Sequence, residues 1–455
     1  MNISFYKRAC LTLSLSCAVF ECNAQVWAQS DSPPSRIAAV SGEDDATLFD
    51  THLVSAASTS LDETVMPVVP PSAERCVETP NLLSPDAVFA PSQPAPLPPV
   101  SSLSAGQGAL TAQNSVPTFL GDFFGGGGST IASVPSGGVV SIPRQTGVGI
   151  MKLAENGSPL PRDRVFVSYN YFDNVNLIPG GLAVNRLTPG IEKTFFNGNA
   201  SIEVRLPMAS TLNSVTPFDI QTLQVIGYDT SHYELGNLTT FFKGILYRDE
   251  QFALSAGTGI ALPTADDLRV ISPDPAATLD VIKNEAVHLL PFIGGVYTPN
   301  DRWFTQGMVQ LDIATNGNSV YTTNQRLNLV REGKLNDPTF LFASLGSGYW
   351  VYRADNPAAH LTGVALLTEL HFNTTLQSAD YVEGANANIG SPQSQIQTFN
   401  AVLGGNLMFD QNKSLSAGYV VPIGGGADQA FDGEFRLMFN WYFGGAANRM
   451  SRVQF

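Results

Sequence analysis

Cysteine is almost missing from this 455-residue chain. Of its four, Cys10, Cys17 and Cys22 stand near the start, and only Cys76 lies further on. That excludes a disulfide framework, a thiolate metal site and cysteine catalysis in the C-terminal region. Positive charge is scarce too: 24 Lys and Arg face 39 Asp and Glu, a net −15 with no basic run. Such a surface repels nucleic acid, so no nucleic-acid partner is expected. Histidine is rare, and His232, His288 and His360 have no ligand-spaced partner, so neither a metal nor a cofactor is expected. Long apolar runs are lacking as well. Beyond the first residues no stretch reaches about 18 uncharged apolar positions, which rules out a helical membrane span.

What is present begins with a secretory signal pattern over residues 1–28. Lys7 and Arg8 precede an apolar stretch from Leu11 to Phe20, then small-residue cleavage patterns ending at Ala24 or Ala28. No lipobox precedes Cys17 or Cys22, so a lipid anchor is not expected. Without Lys7, Arg8 and Glu21 the exported chain carries about −16. Residues 29–140 are rich in Pro, Ser and Gly, including "APSQPAPLPPV" (90–100) and "GDFFGGGGST" (121–130). That composition buries too little apolar surface to offset ordering entropy, and reads as a disordered tether. Residues 141–163 form a transition, and 444–455 a C-terminal tail.

Between them, residues 164–443 alternate with period 2, the signature of strands with one apolar and one polar face. Twelve are predicted, near 164–172, 190–197, 200–208, 237–248, 251–262, 286–297, 302–314, 339–352, 360–372, 397–409, 414–422 and 431–443. The twelfth is the clearest: Phe435, Leu437, Phe439, Trp441 and Phe443 on one face, Glu434, Arg436 and Asn440 on the other. Tight turns, such as Asn197-Gly198-Asn199 and Asp410-Gln411-Asn412, alternate with polar connections at 173–189, 209–236, 263–285, 315–337, 373–396 and 424–430. A soluble barrel has no reason to keep its long loops on one rim, whereas outer-membrane barrels do. The expectation is an all-β fold: a closed antiparallel transmembrane β-barrel of about twelve strands, in the outer membrane of a Gram-negative-type envelope.

Two residue sets follow from that facing. Trp303, Trp350, Trp441, Tyr297 and Tyr352 fall near the tight-turn strand ends, where an aromatic girdle meets the lipid headgroups. Glu203, Arg205, Lys243, Asp312, Glu369, His371, Glu434 and Arg436 are the candidates to line the lumen. Their charges nearly cancel, which suggests internal ion pairs and a narrow or closed bore. Glu369 and His371, two apart on one strand, share a face and form a candidate proton-handling or solute-binding pair.

"GTGIALPTADD" (257–267), "AGYVVPIGGG" (417–426) and "FRLMFNWYF" (435–443) resemble putative transporter barrels of the MetA phenol-degradation type. Leu262-Pro263-Thr264 lacks the glycine that follows in that pattern. The resemblance implies an outer-membrane transport role for a small solute and carries over no catalytic residue. The ending "FNWYF" also resembles the aromatic final strand read by barrel assembly machinery, an expected partner alongside membrane lipid.

No enzyme is expected. A membrane phospholipase needs a serine two residues after its histidine, but His371 is followed by Phe372-Asn373 and His360 by Leu361-Thr362. Asp266, Asp267 and Asp274 match no calcium loop, and "GGGG" (125–128) precedes no Gly-Lys-Ser/Thr. The expected function is passive passage of small solutes. The alternative is a structural or adhesive envelope protein that uses the barrel as an anchor.

Overall fold

Alternation becomes a ring. In the computed structural model, which describes residues 115–443 apart from 123–128, 134–138, 144–145, 178–179, 223, 275, 325, 327, 357, 385–387, 391–394 and 425–428, twelve antiparallel strands close on themselves. All described residues belong to the unit Pro94–Phe455. The predicted signal peptide, most of the tether and the tail lie outside them, as do Cys76 and the "GGGG" run.

In chain order the strands are β1 Arg164–Val175, β2 Leu182–Phe195, β3 Ala200–Arg205 and β4 Leu238–Arg248. Then come β5 Phe252–Leu262, β6 His288–Tyr297, β7 Trp303–Ala314 and β8 Phe340–Arg353. The last are β9 Leu361–Thr375, β10 Gln397–Phe409, β11 Lys413–Pro422 and β12 Gly433–Tyr442. Each pairs with its sequence neighbours, and β12 returns to β1 with Gly433 opposite Asp173 and Tyr442 opposite Arg164. Closure leaves the ring no unpaired edge.

Side-chain facing follows the pleat. On β7, Phe304, Gln306, Met308, Gln310 and Asp312 are buried, while Trp303 and Val309 lie open on the outer face. On β12, Glu434, Arg436, Met438 and Asn440 point in, and Phe435 and Leu437 point out. The outer wall is a continuous apolar surface that includes Ile191, Phe242, Ile293, Leu345, Leu366, Leu403 and Tyr419.

The first connection departs from expectation. Residues 173–189 read as a long loop, but β1 runs to Val175 and β2 starts at Leu182, leaving a short hairpin. Pro189 hid the strand. Its carbonyl accepts from Leu206 N, so its nitrogen faces the same side, just beyond the end of β3, where no ladder donor is needed.

The other long connections are not irregular. Segments Val215–Asp219, Gln224–Val225, Leu268–Pro273, Ala276–Ile282, Asn318–Thr323 and Leu329–Leu335 assemble a six-stranded sheet beside the long-loop rim. Its apolar face centres on Phe218, Val270, Ile282 and Val320, with Val382 and Ile389 from the loop after β9.

The N-terminal segment supplies the largest departure. Ser115 meets Arg353 at the tight-turn rim, with Oγ 3.0 Å from Nη2. The chain then climbs inside the ring to Asp122, which accepts from Asn373 and Asn400 near the opposite rim. Ser129–Ser133 and Val139–Pro143 pair with each other, and the first also pairs with Asn388–Gly390 of the long loop after β9. The chain re-enters past Thr146–Gly149, where Asn237 N donates to Val148 O, and descends to Asp163, whose carbonyl accepts from Phe443 N. Residues 115–122, expected in a disordered tether, and 150–163, expected as a transition, are thus the two limbs of a hairpin threaded through the barrel. Composition hid this because the ordering entropy is offset by the wall, not by the segment's own core.

Candidate functional site

The lumen is the natural place to look for function, and it is full. The limbs bind each other: Phe119 N donates to Gly157 O (2.8 Å), and Lys152 Nζ pairs with Asp122 Oδ1 (2.6 Å). Two glycines make this possible. A Cβ on Gly157 would sit 1.6 Å from Leu153 O, and Gly121 has φ +83° with Arg436 Nη1 pressed against it.

One side of the wall, from β12 through β1 to β4, is charged. Glu203 receives Arg205, Lys243 (2.6 Å) and Arg164 (3.1 Å). Glu192 receives Arg164 (2.9 Å) and Lys243 (3.1 Å), and Ser201 donates to it at 2.8 Å. Arg436 holds Glu434 (2.7 Å) and reaches Glu155 of the hairpin (3.1 Å), which also binds Arg186. Every one of these side chains is buried. Unpaired, any of them would carry a desolvation cost of several kcal/mol, so they persist only as a fully connected set.

The other side, from β5 to β8, sets small and apolar residues among a few polar ones, Ser255, His288, Gln306, Gln310, Asp312 and Ser344. Ala253, Gly257, Gly259, Leu290, Phe292, Phe304, Met308, Phe342, Gly346, Gly348 and Trp350 point inward. Here the hairpin's Phe119, Leu153 and Ala154 pack with Phe241, Leu290, Phe292 and Met308. Polar residues were expected to line the interior; on this side apolar groups of the hairpin pack against apolar groups of the wall instead.

All eight lumen candidates lie on the inner face: Glu203, Arg205, Lys243, Asp312, Glu369, His371, Glu434 and Arg436. Glu203, Arg205 and Lys243 meet in one cluster, and Glu434 and Arg436 in another. Glu369 and His371 do touch, Oε2 to Nε2 at 2.9 Å. Glu369 also accepts the backbone N–H of Leu120 (2.7 Å) and Gly121 (2.9 Å). His371 Nδ1 faces Ser344 Oγ (2.9 Å) and Lys152 Nζ (3.1 Å). Serine, histidine and carboxylate are therefore connected in series, but the lysine ammonium occupies the nitrogen that would have to take the serine proton. The group works as a clamp on the hairpin. Asp312 stands apart, 2.5 Å from His288 Nδ1, while His288 Nε2 lies 3.5 Å from Asp337 of the long loop after β7. Among the described residues no group of three or more His, Cys, Asp and Glu is arranged to hold a metal.

Of the expected girdle, Trp303, Tyr297 and Tyr352 are exposed on the outer wall and Trp441 is half-buried on it, at the tight-turn rim. Trp350 is not: it points inward, 2 % exposed, beside Phe304 and under the Arg353 guanidinium. Trp350 keeps the inward parity of Phe342, Gly346 and Gly348, and the bulge that follows it turns Tyr352, otherwise on the same parity, outward. Tyr349 takes the outer place and packs on Trp303, ring centroids 4.9 Å apart.

Sequence reasoning missed Arg164, Arg186 and Glu192 on the wall and Asp122, Lys152, Glu155 and Arg162 on the hairpin. The wall residues were legible: Val184, Arg186, Thr188, Gly190 and Glu192 alternate once Pro189 is allowed in a strand. The hairpin residues left no periodic signal. Leu262-Pro263-Thr264, the motif resembling transporter barrels, forms a tight turn at the exit of β5. Thr264 N donates to Leu262 O, and its hydroxyl ties to Gly236 and Leu238.

No family model matches the chain, and no curated relative matches it. Solved structures do resemble it distantly. An outer membrane channel from Pseudomonas putida F1 is 12% identical, covering 62% of this chain and 97% of its own at a TM-score of 0.39. The P. putida toluene transporter TodX is 9% identical, covering 71% and 98% at 0.32. The NanC porin is 6% identical, covering 62% and 99% at 0.35. At such values the likeness is confined to barrel architecture.

Proposed function

We propose that this chain is an outer-membrane barrel for small solutes whose passage is held shut by its own N-terminal hairpin. The observation that carries the reading is the pairing of an apolar outer wall with a charged inner wall whose side chains are all sealed by residues 115–122 and 150–163. An apolar exterior of this kind needs lipid, and closure satisfies every wall strand. Aromatic residues at the tight-turn rim favour a headgroup boundary there, on the periplasmic side. The interior is an aqueous path only with the hairpin withdrawn. Barrel assembly machinery and a small solute are the partners this reading requires.

Planar-bilayer recording tests it. The wild-type protein should be silent. Gly157→Val forces a side chain into Leu153 O and should dislodge the descending limb, giving discrete conductance steps.

A second reading is an anchor that displays the loop sheets at the cell surface. It is favoured by the number of buried ion pairs tying the hairpin to the wall. A folded Gly157→Val barrel without conductance would select it.

A further inference from the structure

The wall grips the hairpin largely by its main chain. Arg205 donates to the carbonyls of Lys152 (3.2 Å), Leu153 (3.1 Å) and Glu155 (2.6 Å). Lys243 and Ser255 donate to the next turn of chain, at Ser158 O and Pro159 O. Gln310 reads a dipeptide from both sides, accepting Leu153 N at 2.7 Å and donating to Met151 O at 3.4 Å. On the other limb Glu369 accepts two successive N–H groups while Arg436 Nη1 holds Leu120 O at 2.8 Å. Backbone groups are carried by every peptide, so these contacts do not depend on the hairpin's own sequence.

Apart from the polar ties of Asp122, Lys152, Glu155 and Asn156, apolar side-chain selection on the first limb centres on one short stretch. Phe119 lies over Gly346, and a Cβ on Gly404 or Gly418 would come within 2.5 or 2.7 Å of Leu120 Cδ1. Gly121 then requires a left-handed φ of +83°. The wall has been emptied of side chains where two bulky apolar groups enter, and no side chain fits after them.

We infer that the lumen is a binding site for extended peptides bearing two bulky apolar residues followed by glycine, and that the hairpin occupies it as a pseudo-ligand. This names the solute class for the gated passage proposed above and rests on that reading. The peptide would meet the main-chain partners that the wall offers to Leu120 and Gly121 and the polar partners of Asp122, in a site otherwise filled in cis.

The test uses full-length protein in nanodiscs and a fluorescent heptapeptide Val-Pro-Thr-Phe-Leu-Gly-Asp, the sequence of residues 116–122. Two variants open the site independently, Gly157→Val and Lys152→Glu, with heat-modifiable migration reporting an intact barrel. Both should bind the peptide saturably. Wild type should bind at least about tenfold more weakly, since a tethered occupant competes at an effective concentration of about millimolar. Adding Glu369→Ala should lower binding to the opened variants, and a peptide with Ser-Ser in place of Phe-Leu should bind less well. Conductance without peptide binding overturns the peptide site and leaves the channel. Binding without conductance keeps the site and overturns passage. With neither, both fall.

Discussion

Two arcs of the inner wall, either side of the β4–β5 turn, solve one problem by opposite means. From β12 to β4, long charged side chains along one arc of the wall neutralise one another, as Glu203 does with Arg164, Arg205 and Lys243. From β5 to β8, the wall recedes, and Gly257, Gly259, Gly346 and Gly348 leave room for aromatic rings. A ring of this size cannot be filled from its wall alone without either long side chains or an inserted segment. This barrel uses both, and the hairpin meets each side, through Arg205 and Arg436 on one and Phe292 and Met308 on the other. The difference teaches that charge in the lumen is no sign of exposure there: the charged side is as buried as the apolar one.

Charge removal should break the comparison most severely. Glu203→Gln leaves three buried cations short of one carboxylate, and we expect a loss of about 3–5 kcal/mol, read from urea unfolding in lipid or detergent. On the opposite half, Gly346→Val pushes into the Phe119 ring, 3.0 Å from the new Cβ. Its cost should be smaller, about 1–3 kcal/mol, with Phe119 displaced and the charged half unchanged. Equal losses from the two variants would show that the halves are not energetically distinct.

The loop sheet sharpens the contrast from outside the barrel. Asp280 is buried in its Ala276–Ile282 strand between Val270 and Thr322, and one carboxylate oxygen has no partner. Burial pushes its carboxyl up to about 7 from an ordinary 3.8. A raised carboxyl favours the folded sheet while it is neutral. That stabilisation is full below pH 3.8, is lost as pH rises through about 7, and stays lost above. Amide protection in residues 268–282, after allowing for the base catalysis of exchange itself, should therefore fall between about pH 4 and pH 7, with Asp280→Asn removing the dependence and the protection of strands β1–β12 unaffected. Pointing the same pH response at the barrel strands instead would refute the assignment to Asp280.

Much of the wall was legible because facing in a strand is a parity rule. Glu434 and Arg436 could be set inside from Phe435 and Leu437 alone, and the tight turns fixed where strands end. Parity failed where the backbone departs from it: at the bulge after Trp350 that turns Tyr352 outward, and at Pro189, harmless beside a strand that has already ended. The hairpin was illegible for a different reason. Phe119 and Leu120 look like any apolar pair in a Pro-rich segment, and their partners, such as Glu369 and Gly404, lie hundreds of positions later. Nothing local marks a segment whose order is supplied entirely by another part of the chain.

Threading also constrains how the molecule is put together. Residue 163 is joined directly to β1, and the hairpin lies within a ring whose last seam joins β12 to β1. A doubled chain can enter or leave a bore so crowded only if the arginine and phenylalanine side chains around it give way together.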